Sequence, residues 1–236
     1  MKIAVISDLH LGSGGNLDEF GHDDGEFLRF LNFLEGNFER VVLAGDVWET
    51  LYCKSPRQQV RELAMAREAH REIAARFERP AYRYLHGNHD IVSGNVLRAP
   101  EALHLEADGT RILFTHGHQL DWIVKHARWF SEFVAWAGAW VMRMGLRPLK
   151  AIVERIEELI RGESKAAPEK DRFQLASLQM AAQSGADIVV TGHTHNGVVS
   201  HHGDRIFMNS GSCSGGEFSW LSLDTKAGAY ALNAGW

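Results

Sequence analysis

Five short, mostly apolar runs, each ending in carboxylates, imidazoles or an amide, constrain this 236-residue chain more than anything else in it. The runs are Ile3-Ala4-Val5-Ile6, Val41-Val42-Leu43-Ala44, Tyr82-Arg83-Tyr84-Leu85, Ile112-Leu113-Phe114 and Ile188-Val189-Val190. The polar clusters behind them are Asp8-Leu9-His10, Gly45-Asp46, Gly87-Asn88-His89-Asp90, His116-Gly117-His118 and Gly192-His193-Thr194-His195. Continuous apolar runs of this length suit strands buried on both faces. Helical segments separate them, which predicts an α/β domain. The polar clusters would then gather at one rim of a sheet, where open α/β sheets bind ligands. Oxygen and imidazole donors without thiolate suit divalent transition metals. Two such ions side by side form a common device for cleaving phosphate esters.

The remaining pattern fills in the elements. Residues 26–35 read as a helix with Phe27, Phe30, Leu31 and Leu34 on one face. A charged helix is predicted from Pro56 to Phe77, stopped by Pro80. Strands are expected at 2–6, 40–44, 82–86, 111–115 and 187–191, and helices at 121–143, 148–161 and 170–184. The tail reads as two antiparallel hairpins, 197–201 with 205–209 and 218–223 with 228–232.

Composition narrows the class of partner. The net charge of −5 lacks the basic footprint of a nucleic-acid binder, so no stable nucleic-acid partner is expected. The two cysteines, Cys53 and Cys213, define no disulfide framework and suit a cytoplasmic protein. The N-terminus enters a strand at once and does not read as a signal peptide. The longest uncharged apolar run, Phe133 to Met142, is about half of a membrane span. The Ser210-Gly211-Ser212 turn reads as structural.

Single motifs of this kind are weak. Asp8 and His10 bracket Leu9, and at an extended strand end positions two apart face the same way, toward one ion. Gly45 allows a sharp turn before Asp46. In this order, however, the five clusters resemble the signature of the calcineurin-like metallophosphoesterases: D-x-H, G-D, G-N-H-D/E, H-G and G-H-x-H. The resemblance implies a two-sheet β-sandwich core flanked by helices. It also implies two divalent metal ions, manganese first, with iron, zinc or cobalt as alternatives. The first ion would take Asp8, His10, Asp46 and His195, and the second Asp46, Asn88, His116 and His193, with Asp46 bridging. His89 would meet the substrate phosphate and protonate the leaving oxygen, with Asp90 hydrogen-bonded to it. His118 is either a support for the metal ligands or a substrate contact.

The 70 or so residues between His118 and Gly192 read as an inserted helical cap. Trp122, Trp129, Phe133, Trp136 and Trp140 share one helical face, and residues 122–165 carry eight Lys/Arg against five Glu. The division expected is 1–120 and 186–236 for the core and 121–185 for the cap and its return helix. Trp122, Arg143 and Arg147 become candidate contacts for an anionic, partly apolar substrate, and the cap a candidate peripheral contact with the inner membrane face. Core packing of the tryptophan stripe is the competing reading. This layout is similar to that of the UDP-2,3-diacylglucosamine pyrophosphohydrolases, which share the Asp8-Leu9-His10-Leu11 opening and a stretch like Gly45-Asp46-Val47-Trp48-Glu49. It departs from them at His89, where they carry arginine, and at His118, where they carry aspartate. The substrate therefore stays open among a lipid- or nucleotide-linked phosphate ester or pyrophosphate. A nuclease or cyclic-nucleotide phosphodiesterase is the second enzymatic reading, and a non-catalytic metal-binding scaffold the third.

Overall fold

The computed structural model describes residues 1–15, 18–53, 55–120 and 171–236. Trp122, Arg143, Arg147 and the cap helices expected at 121–143 and 148–161 lie outside the described residues. In chain order the elements are β1 (Lys2–Ile6), α1 (Asp24–Asn37), β2 (Arg40–Ala44), α2 (Gln59–Ala69), α3 (Arg71–Phe77), β3 (Tyr82–Leu85), α4 (Ser93–Val96), β4 (Ala102–Ala107) and β5 (Thr110–Thr115). After the undescribed segment come α5 (Arg172–Ser184), β6 (Ile188–Thr191), β7 (Val198–His202), β8 (Arg205–Asn209), β9 (Ser219–Asp224) and β10 (Ala229–Ala234).

The strands form two five-stranded sheets, ordered β10-β9-β1-β2-β3 and β4-β5-β6-β8-β7. This corrects the single rim expected from the strand pattern: the motif-bearing strands divide between the sheets, three in the first and two in the second. Alternation along each strand explains the layering. Ala4, Ile6, Val41 and Leu43 face α1–α3, where Phe27, Phe30, Leu31, Leu34 and Ile73 cover them. Ile3, Val5, Val42 and Ala44 face the other way, against Ile112, Phe114, Ile188, Val190 and Met208 of the second sheet. On the outer face of that sheet, Leu113, Val189 and Phe207 pack against Phe173, Leu178 and Ala181 of α5. The return helix, drawn with the cap from sequence, is thus packed into the core.

The two tail hairpins form as predicted but serve different sheets. β8 pairs in parallel with β6, whereas β9 pairs antiparallel with β1. Two further differences have local causes. The helix expected from Pro56 to Phe77 breaks at His70, whose backbone (φ −111°, ψ 46°) leaves the helical region while its ring meets Asp24 at 2.8 Å and Asp18 at 3.6 Å. Strand β4 was not read from the sequence. Its half-exposed alternation is that of an edge strand, joined to β5 through Asp108-Gly109, both at positive φ.

Candidate metal centre

The loops after β1, β2, β3, β5 and β6 meet at one end of the sandwich. Those after β1 and β2 run on together as paired backbone: Asp8 N–H donates to Gly45 O, Leu9 and His10 N–H to Asp46 O, and Leu11 N–H to Val47 O. They do so in an unusual conformation. Asp8, His10 and Asp46 have φ of 54°, 50° and 50°, and His193 and His195 have 71° and 56°. Left-handed backbone is uncommon for such residues and costs on the order of 1–3 kcal/mol each. The extended alternation invoked for Asp8 and His10 is therefore not what aims them; successive left-handed turns are. Two glycines make room. Gly45 sits at φ 95°, and a Cβ there would lie 2.5 Å from the His116 ring. At Gly87 a Cβ would lie 2.1 Å from Asp46 Oδ1.

Three donor groups result among the described residues; one joins His10 and His89 through Glu49, and the other two gather motif residues alone. Asp8, His10 and His195 bring one ligand atom each within 4.8 Å of one another, and so do Asp46, His116 and His193. His195 Nε2 lies 3.2 Å from Asp8 Oδ1, and His116 Nε2 lies 3.1 Å from Asp46 Oδ2 and 3.2 Å from Asn88 Oδ1. Apart from His195, which is partly exposed, the donors in these two groups are all buried. Burial opposes ionisation of Asp8, but the His195 charge and hydrogen bond hold its carboxyl down to about 2. Burial likewise opposes Asp46, and the charges of His116 and His89 hold it well below the carboxylate range. His116 moves the other way: burial would lower it, but Asp46 and then Asp8 raise it to about 9. The centre thus sets anionic oxygen where it draws positive charge.

A divalent cation fits these residues. His10 Nε2 is buried and meets no hydrogen-bond partner among the described residues, while its Nδ1 is held 3.1 Å from Glu49 Oε2. A carboxylate behind one imidazole nitrogen, with the other left open among the described residues, is the usual support of a metal-binding histidine.

Glu49 joins the centre although sequence reading gave it no role there. Its Oε2 also meets His89 Nδ1 at 2.6 Å, and its Oε1 accepts from Leu51 and Tyr52 N–H at 2.9 and 3.3 Å. Burial would raise its carboxyl, but the charges and hydrogen bonds of His89 and His10 hold it down to about 2. The signal was its place three residues after Asp46. The partnership expected between Asp90 and His89 is corrected accordingly. Asp90 instead accepts from the N–H groups of Val47, Trp48 and Gly87 and from the Tyr84 hydroxyl, tying the loops after β2 and β3 together. His118 lies beside the second group, its ring 5.6 Å from that of His116, and burial lowers its pKa to about 3. Both cysteines are buried, and burial pushes the Cys213 thiol up to about 12, which removes it as a nucleophile at neutral pH.

The model of the family described as calcineurin-like phosphoesterase matches residues 1–197. The chain belongs to that family. It is a metal-dependent phosphoester hydrolase. Among curated proteins, a UDP-2,3-diacylglucosamine hydrolase of Bordetella pertussis is 28% identical over 217 residues, covering 81% of this chain and 76% of that one. The protein of the same name from Bordetella parapertussis is 27% identical over the same shares. Among solved structures, a singly substituted Vps29 from Entamoeba histolytica matches with a TM-score of 0.51 at 16% identity, over 99% of this chain and 98% of that one. Vps29 from Chaetomium thermophilum matches at 0.50 and 14%, over 100% and 94%. These two likenesses speak to the fold of the phosphoesterase.

Proposed function

We propose that this phosphoesterase works with two divalent ions. One would be held by Asp8, His10 and His195, the other by Asn88, His116 and His193, with Asp46 shared between them. The observation that supports this most is the pair of adjacent donor groups, which draw on four of the five motifs, with Asn88 of the fifth 3.2 Å from His116 Nε2. Manganese is the first ion to test, given the mixed carboxylate, amide and imidazole donors. When bound, such a pair acidifies water and neutralises charge on a phosphoryl group. The chain's own residues supply the rest. Glu49 fixes the His89 ring through Nδ1, so Nε2 is the nitrogen that would carry the proton to the leaving oxygen. Thr50 binds the His89 carbonyl, and His89 N–H donates to Asp46 Oδ1 at 2.8 Å, so the acid and the shared carboxylate move as one unit.

For the substrate we propose a pyrophosphate or phosphate ester carrying an apolar moiety, with UDP-2,3-diacylglucosamine first among candidates. Two relatives named for its hydrolysis, each aligned over 81% of this chain, support that choice. So does the sequence of 122–165, net positive and rich in tryptophan, with Trp122, Arg143 and Arg147 as contacts and a peripheral membrane approach as the matching location. Among the described residues no helix is long and apolar enough to cross a membrane. The test compares two substrates on two proteins. With manganese, the intact enzyme should cleave both bis(p-nitrophenyl) phosphate and UDP-2,3-diacylglucosamine. A variant with a Gly/Ser linker in place of residues 123–168 should keep only the first activity, because remote binding energy would be gone. Equal cleavage of the lipid by both proteins would remove the segment's role, and no metal-dependent turnover of either substrate would remove the reading itself.

A further inference from the structure

The last residue of β8, Asn209, is wholly buried and lies across from Thr191 in the parallel pairing of β6 with β8. Its side-chain amide reaches over the loop that carries His193 and His195. Nδ2 lies 2.6 Å from Gly192 O, 3.0 Å from Thr191 Oγ1 and 3.2 Å from Thr194 Oγ1, while Oδ1 accepts from Gly211 N–H at 2.9 Å. The carbonyl bonded by the amide precedes His193, and the hydroxyl belongs to the residue between the two histidines. Gly192 O also accepts from Thr194 N–H at 2.9 Å, which closes a tight turn around His193. The turn is under strain, with both histidines in the left-handed region. Such a conformation persists only where its surroundings over-determine it. The His193 N–H donates to both Asp8 oxygens at 3.2 Å, so the strained turn also touches the first donor group.

The geometry points to Asn209 as a positioning residue that clamps this loop and thereby sets one imidazole in each of the two donor groups. The inference rests on the two-ion reading proposed above. The amide is suited to the task for a chemical reason. It must donate at one end, to a carbonyl and two hydroxyls, and accept at the other, from a backbone N–H. Aspartate has the same shape and keeps the acceptor, but it sets a carboxylate oxygen against Gly192 O and offers that carbonyl no donor. The carbonyl would keep Thr194 N–H but lose its shorter bond and face a buried carboxylate oxygen instead, which is costly, so the turn would relax toward ordinary backbone and carry both rings with it.

The experiment uses the full-length protein, wild type and Asn209→Asp, with Thr194→Val as a milder probe that removes one of the three acceptors. Ser200→Ala on neighbouring β7 is the control. It deletes a buried hydrogen bond of 2.8 Å from the same sheet to Gln174 of α5, on a residue that touches neither His193 nor His195. Chelator-treated protein is titrated with Mn²⁺ by calorimetry, and amide exchange is followed for residues 191–197. Wild type should bind two Mn²⁺. Asn209→Asp should bind both at least 10-fold more weakly and show faster exchange confined to that segment. Its turnover should recover as Mn²⁺ is raised. Thr194→Val should shift affinity by a few-fold, and Ser200→Ala should shift only thermal stability. If Asn209→Asp is insoluble, Thr194→Val decides alone: weaker Mn²⁺ binding at both sites supports the clamp, and wild-type binding overturns it. A folded Asn209→Asp with Mn²⁺ affinity within twofold of wild type also overturns it. A wild type that binds fewer than two ions would fault the two-ion reading instead.

Discussion

Replacing Glu49 with glutamine tests how the centre is held together. Two backbone donors, Leu51 and Tyr52 N–H, pin one side-chain oxygen, so the incoming NH₂ must occupy the position of Oε2. There it faces His10 Nδ1 and His89 Nδ1, 3.1 and 2.6 Å from the native oxygen. A donor at that place forces each Nδ1 to accept, which moves the ring proton to Nε2. A protonated Nε2 on His10 has no lone pair for a cation. Turning the amide over avoids this only by abandoning both backbone donors. Each charge-assisted bond lost is worth about 1.5–3 kcal/mol. Loss of the group behind a metal-binding histidine typically weakens metal affinity about 10–100-fold, or about 1.4–2.7 kcal/mol. We predict Mn²⁺ binding weakened in that range at the ion nearest His10. Turnover should stay low even at saturating Mn²⁺, because His89 is mis-set as well. Calorimetric titration and steady-state rates on bis(p-nitrophenyl) phosphate measure both. A Glu49→Gln protein with Mn²⁺ affinity and turnover within twofold of wild type would refute the bridging role.

Three further outcomes follow from the same geometry. His89→Gln should keep its metals and slow turnover by about 10²–10⁴, less for nitrophenol than for poor leaving groups; an equal loss on both would mean the ring only positions phosphate. Gly87→Ala should displace Asp46, since the new Cβ would lie 2.1 Å from Oδ1, and a misplacement of about 1 Å costs about 10²-fold in rate; near-normal turnover would show that the loop yields. Burial would lower the pKa of His70, but its pairing with Asp18 and Asp24 outweighs that and raises it, so its stabilisation is full below the unfolded value of about 6.5 and fades as pH rises through the folded value. His70→Gln should accordingly lower Tm more at pH 5.5 than at pH 9, and an equal drop at both would show that the ring acts by packing alone.

Much of the fold could be read from the chain because β1, β2, β5 and β6 are buried on both faces, which leaves little choice but continuous apolar runs. The edge strand β4 has no such requirement, so its half-polar alternation carried little signal. The place of β9 in the first sheet is a long-range pairing with β1 that no local pattern encodes. At the centre, the motif residues were legible because the chemistry demands those side chains. Their aim was not. It depends on left-handed backbone at Asp8, His10, Asp46, His193 and His195, which resembles ordinary turn sequence. Glu49 and Asn209 escaped for a related reason: each acts through neighbours brought close only by folding.

The most direct test of the two-ion account is anomalous scattering from crystals grown with Mn²⁺, for wild type and Asp46→Asn. The account predicts two peaks about 3.5–4 Å apart in the wild type, one against Asp8, His10 and His195 and one against Asn88, His116 and His193, with Asp46 touching both. In Asp46→Asn at least one peak should weaken or vanish, together with turnover. A single ion in the wild type, ions bound elsewhere, or two full peaks with normal activity in Asp46→Asn would contradict it.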